Sequence, residues 1–395
     1  MRKIFLCFFA VPVFSGVLYA QTPGGSDSLG VPDSFFRHYT GTAGRHKMVL
    51  DMRYNASGIP SLGSSTYYFT DEGGLNFFLT KAPPQYSKSD VFNSQVFPEN
   101  MPLSNISNAY SDQVQTSRLS FVFSHDSIKG TWLNGNGQEQ LPLTLKEDNT
   151  GGVPFIFSQT TDSVVVVTKK QETVKALATY VGVQPSPRSN TKDVMFIDKA
   201  LARFMGGSES HIKDSRYFSA ICFQKFFDQF RAAAKENKRL TATSFSDVFT
   251  LFPVYADNGF LVLQQGGYQY DFDKDSYTDQ NRYLCLDLES RKTLQLDDIL
   301  VRNNDMLSKL LENAFRKKYQ VEPGKKLNTM FLTDALPVTD NFILVGKGLI
   351  FSYSPAVIFR EEQDISGLQE MRLFLSYDEL AGMLKPEFKS RVGLQ

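Results

Sequence analysis

Two acidic clusters hold the residue types best suited to chemistry. Asp271, Asp273, Asp275 and Asp279 carry carboxylates at mostly alternate positions, and such a row can converge on a hard cation. The loop that would do this regularly needs glycine where Ser276 stands and a bidentate glutamate where Arg282 stands. An EF-hand is therefore excluded. The two remaining readings are an irregular calcium site and, favoured, an acidic hairpin tip in solvent. Glu361, Glu362 and Asp364 form the second cluster, near the C-terminal end. Paired carboxylates can cleave glycosides when a cleft holds them at a set distance. Nothing in the sequence places these three in a cleft, so a solvated loop is the favoured reading. With Tyr268 they are the candidate partner-contacting residues. Trp132, Tyr67, Tyr68 and Tyr110 could stack on sugars, but aromatics at strand positions more often fill a core.

Other signatures of catalysis are missing. The four histidines, His38, His46, His125 and His211, form no pair at helical ligand spacing, and there is no His-Glu-x-x-His. Cys-x-x-Cys, the Gly-x-Ser-x-Gly elbow and the P-loop are also absent. Ser189-Asn190-Thr191-Lys192 matches Ser-x-x-Lys in letters, without the companion motifs of that chemistry. No catalytic residue, metal or cofactor is expected. Forty-two basic and 42 acidic residues balance, so no nucleic-acid footprint is expected either.

The start of the chain reads as a secretory leader: Arg2 and Lys3, an apolar run from Ile4 to Val17, then Leu18-Tyr19-Ala20. Cleavage is expected after Ala20. Pro12, Ser15 and Gly16 interrupt the run, so no transmembrane anchor is expected after cleavage. Two cysteines then remain, Cys222 and Cys285, which fit either one disulfide or two buried thiols.

Hydrophobic periodicity supplies the elements. Met48, Leu50 and Met52 alternate with Val49, Asp51 and Arg53, a period of two. Asp71-Glu72-Gly73-Gly74 and Asn134-Gly135-Asn136-Gly137 are hairpin signals. Pro142 marks its strand as an edge or a bulge. The stretch 81–116, rich in Pro, Ser and Asn, reads as loops. Beyond about residue 193 the period changes. Phe218, Cys222, Phe226 and Phe230 recur every four residues, with Ile221, Phe223 and Phe227 between them. That spacing predicts a helix with a wide apolar face over Arg216 to Leu240. A shorter helix over Phe196 to Met205 and another over Asn304 to Tyr319 are predicted beside it. Ser376-Tyr377-Asp378-Glu379 reads as a capping box opening a last helix that Pro386 ends.

The expected fold is α+β: an N-terminal antiparallel β meander followed by an α+β domain with helices packed on an antiparallel sheet. Expected divisions are a signal peptide at 1–20, a flexible lead at 21–35, a β-rich domain at 36–150, a strand and linker at 151–192, the α+β domain at 193–388 and a tail at 389–395.

Three stretches resemble the extracellular domain of the RsiV-type anti-sigma factors. They are Thr293 to Leu300, Asn341 to Pro355 and Arg372 to Leu380. Phe196 to Gly267 is similar to the PdaC-like, deacetylase-associated domain that often precedes it. Tyr39 to Gly44 and Gly130-Thr131-Trp132 resemble a β-rich region of exported bacterial proteins. Departures are clear: Gly266-Gly267-Tyr268-Gln269 lacks the histidine usual in that loop, and the charged run Arg360 to Asp364 replaces a glycine-containing turn. The resemblance implies a non-catalytic, periplasmic or secreted envelope module binding a protein or cell-wall glycan, with lysozyme or peptidoglycan as candidates. The alternatives are a cell-wall polysaccharide hydrolase, a deacetylase-associated protein and a structural envelope protein.

Overall fold

The computed structural model describes residues 34–55, 65–70, 77–81, 90–95, 115–124, 126–134, 138–148, 153–168, 170–186, 191–207, 217–236, 244–272, 276–279, 281–322, 324–354, 358–360 and 370–394. The leader, Cys7 and the lead to residue 33 lie outside them.

The N-terminal meander closes on itself. Strands β1 (Ser34–Ala43), β2 (His46–Asn55), β3 (Ser65–Phe69), β4 (Phe77–Lys81), β5 (Asp90–Gln95), β6 (Gln115–Ser124), β7 (Ser127–Asn134) and β8 (Gln140–Glu147) form a barrel in chain order. β8 returns to pair antiparallel with β1. The period of two decides what lies inside: Tyr39, Met48, Leu50, Met52, Tyr67, Phe69, Leu119, Phe121, Ile128, Leu143 and Leu145 are all buried together. Closure removes the exposed edges that an open meander would leave. β8 is neither the edge strand nor the bulged strand expected from Pro142, for it pairs with both β7 and β1; the proline is tolerated because the β1–β8 register starts only at Leu143, so its missing N–H interrupts no ladder bond. At Gly130 a Cβ would lie 2.0 Å from the Ser120 carbonyl oxygen, so β6 and β7 approach as closely as they do only with glycine there. β5 falls within the stretch read as loops; Val91 and Phe92 are too brief an apolar signal among Asn, Ser and Gln.

A mixed sheet follows, ordered β15 (Lys292–Leu294), β14 (Arg282–Asp287), β12 (Phe260–Asp271), β11 (Ser244–Asp257), β10 (Thr173–Pro185) and β9 (Phe155–Val167), with β13 (Ser276–Asp279) paired to β12. Helices α1 (Thr191–Phe204) and α2 (Tyr217–Glu236) connect β10 to β11. That crossover makes the β10–β11 pair parallel, while the other pairs are antiparallel. The predicted face of α2 is the buried one: Phe218, Cys222, Phe223, Phe226, Phe227 and Phe230 pack with Val174, Ala176, Ala178 and Tyr180 of β10. Thus residues expected to be strand and linker supply the edge strand β9 and its inner neighbour β10. The helix expected from Phe196 starts at Thr191.

The last part adds α3 (Leu296–Ile299), α4 (Asn304–Lys318), a three-stranded sheet of β16 (Phe342–Val345), β17 (Gly348–Tyr353) and β18 (Met371–Ser376), and α5 (Pro386–Arg391). Asn303 caps α4, its side chain accepting from the Met306 N–H at 3.1 Å. The predicted capping box forms: Glu379 accepts from the Ser376 N–H at 2.8 Å. It closes a series of turns rather than a helix. Pro386 does not end a helix but opens α5, where a missing N–H costs nothing. The α+β class holds.

Cys222 and Cys285 are free and buried, so of the two readings the thiols are correct. Burial pushes each up to about 12. Among the described residues no helix is long and apolar enough to cross a membrane.

Candidate functional site

The barrel is docked on the mixed sheet through residues that point outward from β1, β2 and β3. Alternation puts Tyr39, Leu50 and Tyr67 inside and leaves Phe36, His38, Val49, Asp51 and Tyr68 outside. Val49 and Tyr68 pack into one core with Val254, Tyr255 and Phe260. Phe36 meets Phe155 edge to face, centroids 6.0 Å apart. Between these contacts lies a cavity of about 680 Å³.

Its polar centre is a cross-strand pair. His38 on β1 and Asp51 on β2 face each other in the ladder, and the ring Nδ1–H of His38 donates to Asp51 Oδ1 at 2.7 Å. Asp51 is fully buried. Its second oxygen, Oδ2, has no hydrogen-bond partner among the described residues. Burial opposes the charged imidazolium, but Asp51, Asp148 and Asp257 together outweigh it, and the His38 pKa ends above its usual 6.5. Thr40, two residues along the same outer face, donates to Asp148 Oδ2 at 3.2 Å.

The opposite wall is the turn between β11 and β12. Asn258 (φ 52°) and Gly259 (φ 73°) both take positive φ, the signature of a two-residue type I′ hairpin. The turn holds Asp257 against the cavity, its oxygens accepting from the Asn258 backbone at 2.8 Å and side chain at 3.3 Å. Burial raises the Asp257 pKa; the Asn258 N–H and His38 oppose that rise. Glu289 also lines the cavity and pairs with Arg391 at 3.2 Å.

A second polar cluster joins the mixed sheet to β17 and β18. The Glu370 carboxylate accepts from Tyr283 Oη at 2.7 Å, Ser352 Oγ at 2.5 Å, Asn281 Nδ2 at 3.1 Å and Arg372 Nη2 at 2.8 Å. Burial alone would raise the Glu370 pKa, but Arg372 and these donors bring it below the usual range. Every oxygen is satisfied, so the cluster acts as a joint.

The residues singled out in the sequence lie elsewhere. Asp271 ends β12 opposite Ser276 and does not line the cavity; Asp279 ends β13 opposite Tyr268, whose backbone also pairs with Val248. This is the expected hairpin, but Asp273, Asp275, Glu361, Glu362 and Asp364 lie outside the described residues. Among the described residues no three His, Cys, Asp or Glu are grouped to hold a metal. Sequence reasoning passed over His38, Asp51 and Asp257. The available signal was Asp51 at an outward position of a strand whose other outward neighbour, Val49, is apolar.

A closed barrel docked on an α+β unit defines the class of protein. No family model matches the chain, and no curated protein matches it. Among the solved structures it is similar to are two bacterial proteins of the DUF3298 family. One from Bacteroides fragilis is 18% identical, covers 62% of this chain and 99% of its own, with a TM-score of 0.47. Another, from Pseudomonas aeruginosa, is 11% identical, covers 60% of this chain and 96% of its own, with a TM-score of 0.40.

Proposed function

We propose that the chain is an exported, non-catalytic binding module of the bacterial cell envelope, whose partner is a protein or a cell-wall glycan, with lysozyme and peptidoglycan the first candidates. The observation that carries this reading is the seam cavity. Its volume of about 680 Å³ falls within the ~300–1,000 Å³ common for ligand sites. Its walls are mixed in the manner of such sites: Phe36, Phe155 and Phe260 give apolar surface, and His38, Asp51 and Asp257 give a few fixed polar groups.

A hydrolase is the second reading, because a histidine oriented by a buried aspartate is half of a nucleophile-activating arrangement. The neighbouring hydroxyl weighs against it, since Thr40 is engaged with Asp148 rather than His38. Co-sedimentation of the chain from Gln21 with cell-wall sacculi, bare or lysozyme-coated, separates the readings. Protein in the pellet and no sugar or acetate in the supernatant is the expected result. Released product that disappears in Asp51→Asn would replace the binding module by an enzyme.

A further inference from the structure

We propose that the edge strand β9 is a dimerisation surface, on which a second copy of this chain pairs antiparallel about a two-fold axis and joins the two mixed sheets into one. The surface is separate from the seam cavity and does not depend on what that cavity binds.

β9 is a long free edge. It ends the mixed sheet, and among the described residues no strand lies beyond it. It pairs with β10 without a shift, from Phe155 opposite Pro185 to Val167 opposite Thr173. Just past its two ends, the Ser186 N–H donates to the Pro154 carbonyl at 2.8 Å and the Thr168 N–H to the Glu172 carbonyl at 2.9 Å. Bonded and non-bonded pairs alternate in an antiparallel ladder. The even-numbered residues of β9 therefore bond to β10, and the odd-numbered ones, Phe155 to Val167, turn N–H and C=O away from the sheet. In keeping with this, the Ser163 N–H donates to the side chain of its own neighbour Asp162 at 2.7 Å. Such a row templates pairing with another chain, and proteins block it with lysine, proline, a bulge or a very short strand. β15, at the other end of the sheet, is three residues long and carries Lys292. β9 has 13 residues with no Lys, Arg, Pro or bulge among them, and at ~3.3 Å per residue it offers an edge of about 43 Å.

The pattern along β9 identifies what covers it. Phe155-Ile156-Phe157 and Val164 to Val167 are apolar ends around six polar residues. An antiparallel pair that uses the whole strand centres on Thr161 and sets odd residues opposite odd ones, as the free groups require. Phe157 of one copy then meets Val165 of the other, Ile156 meets Val166, and Thr161 meets itself. Aromatic–β-branched and Thr–Thr pairs are favoured across strands. Val165 and Val167, each 57% exposed, gain a partner on the face they present to water. Asp162, the one charged side chain of the strand, falls opposite Thr160. A two-fold centred one residue further on would oppose Asp162 to itself. A second copy carries the matching pattern by symmetry, and a two-fold pairing closes on itself rather than growing.

Sedimentation velocity of the chain from Gln21 tests this. The unaltered chain is expected as a dimer at micromolar concentration, dissociating on dilution. Thr161→Pro removes an N–H that β10 does not use, and Val165→Lys puts a charge on an exposed position of the same edge. Each is expected to weaken the dimer at least tenfold with near-UV circular dichroism unchanged. Thr161→Cys, on the two-fold axis, is expected to join two copies through a short bis-maleimide, the two native thiols being buried. Should Thr161→Pro unfold, Val165→Lys and the crosslink decide. A monomer at every concentration, a dimer that Val165→Lys leaves intact, or a dimer in which Thr161→Cys does not crosslink would overturn the inference. A monomer that takes an extended peptide along β9 would overturn it too, giving the edge to another partner.

Discussion

The ring of Tyr68, on the outside of the barrel, lies over the ring of Tyr255 on the mixed sheet, with centroids 5.2 Å apart and planes 28° from parallel. Tyr68 Oη also donates to the Ala256 carbonyl at 3.1 Å. This contact joins the barrel to the mixed sheet. Truncating a buried aromatic costs about 3–5 kcal/mol. Tyr68→Ala should lower the chain's stability by that order and loosen the barrel from the sheet. Tyr68→Phe keeps the stack and should lose only about 0.5–1.5 kcal/mol. Denaturant unfolding followed by near-UV circular dichroism would show both, and equal losses for the two variants would contradict the assignment.

Asp247 supplies a pH test. It is buried on β11, and its carboxylate accepts from the Tyr270 N–H at 2.8 Å. Burial pushes its pKa up to about 7, from a usual 3.8, against that hydrogen bond. The folded state thus holds the proton more tightly than the unfolded state. Its contribution to stability is full below the unfolded pKa and is lost as pH rises through about 7. Asp247→Asn should flatten stability across pH 4–8 and stabilise the protein at pH 8 by on the order of 2–4 kcal/mol. Thermal unfolding over that range checks it; an unchanged slope would count against the assignment.

Glu370, just before β18, and Arg372, on β18, form an ion pair that is 10% and 20% exposed. Removing one partner of such a pair leaves a buried charge uncompensated and costs about 3–5 kcal/mol. Arg372→Met should therefore be far more damaging than the double change Glu370→Gln with Arg372→Met. A double-mutant cycle in urea measures the difference, and simple additivity would contradict the joint.

The thiols of Cys222 and Cys285 are buried and held up to about 12. Since the thiolate is the reactive form, the native chain from Gln21 should release almost no colour with a disulfide reagent. In guanidinium without reductant it should release two equivalents, one for each free cysteine. Fewer than two would reveal a disulfide.

Much of this fold is legible in the sequence where one period persists. The α2 phenylalanines and the Met48-Leu50-Met52 alternation each point to a single buried face. β10 was hidden because its core face is built of Val174, Ala176, Ala178 and Tyr180. Alanine gives little hydrophobic contrast, and the strand's rank in the sheet is set by distant partners. The last helix shows a different limit: the Ser376–Glu379 box forms the same hydrogen bonds on a turn as on a helix. The cavity was least legible, because His38, Asp51 and Asp257 meet through barrel closure and docking. No local spacing brings residues 38 and 257 together.

The most direct test of the account is whether the seam cavity is where binding occurs. Thr42 lies on the outer face of β1, exposed, on the cavity wall. Thr42→Trp would place a bulky indole on that wall, four residues along β1 from His38. Co-sedimentation with bare and lysozyme-coated sacculi would compare it with the unaltered chain, after thermal unfolding has shown both to be folded. The account predicts that the unaltered chain enters the pellet and Thr42→Trp stays in the supernatant. Equal pelleting of the two would place the binding surface elsewhere and contradict it.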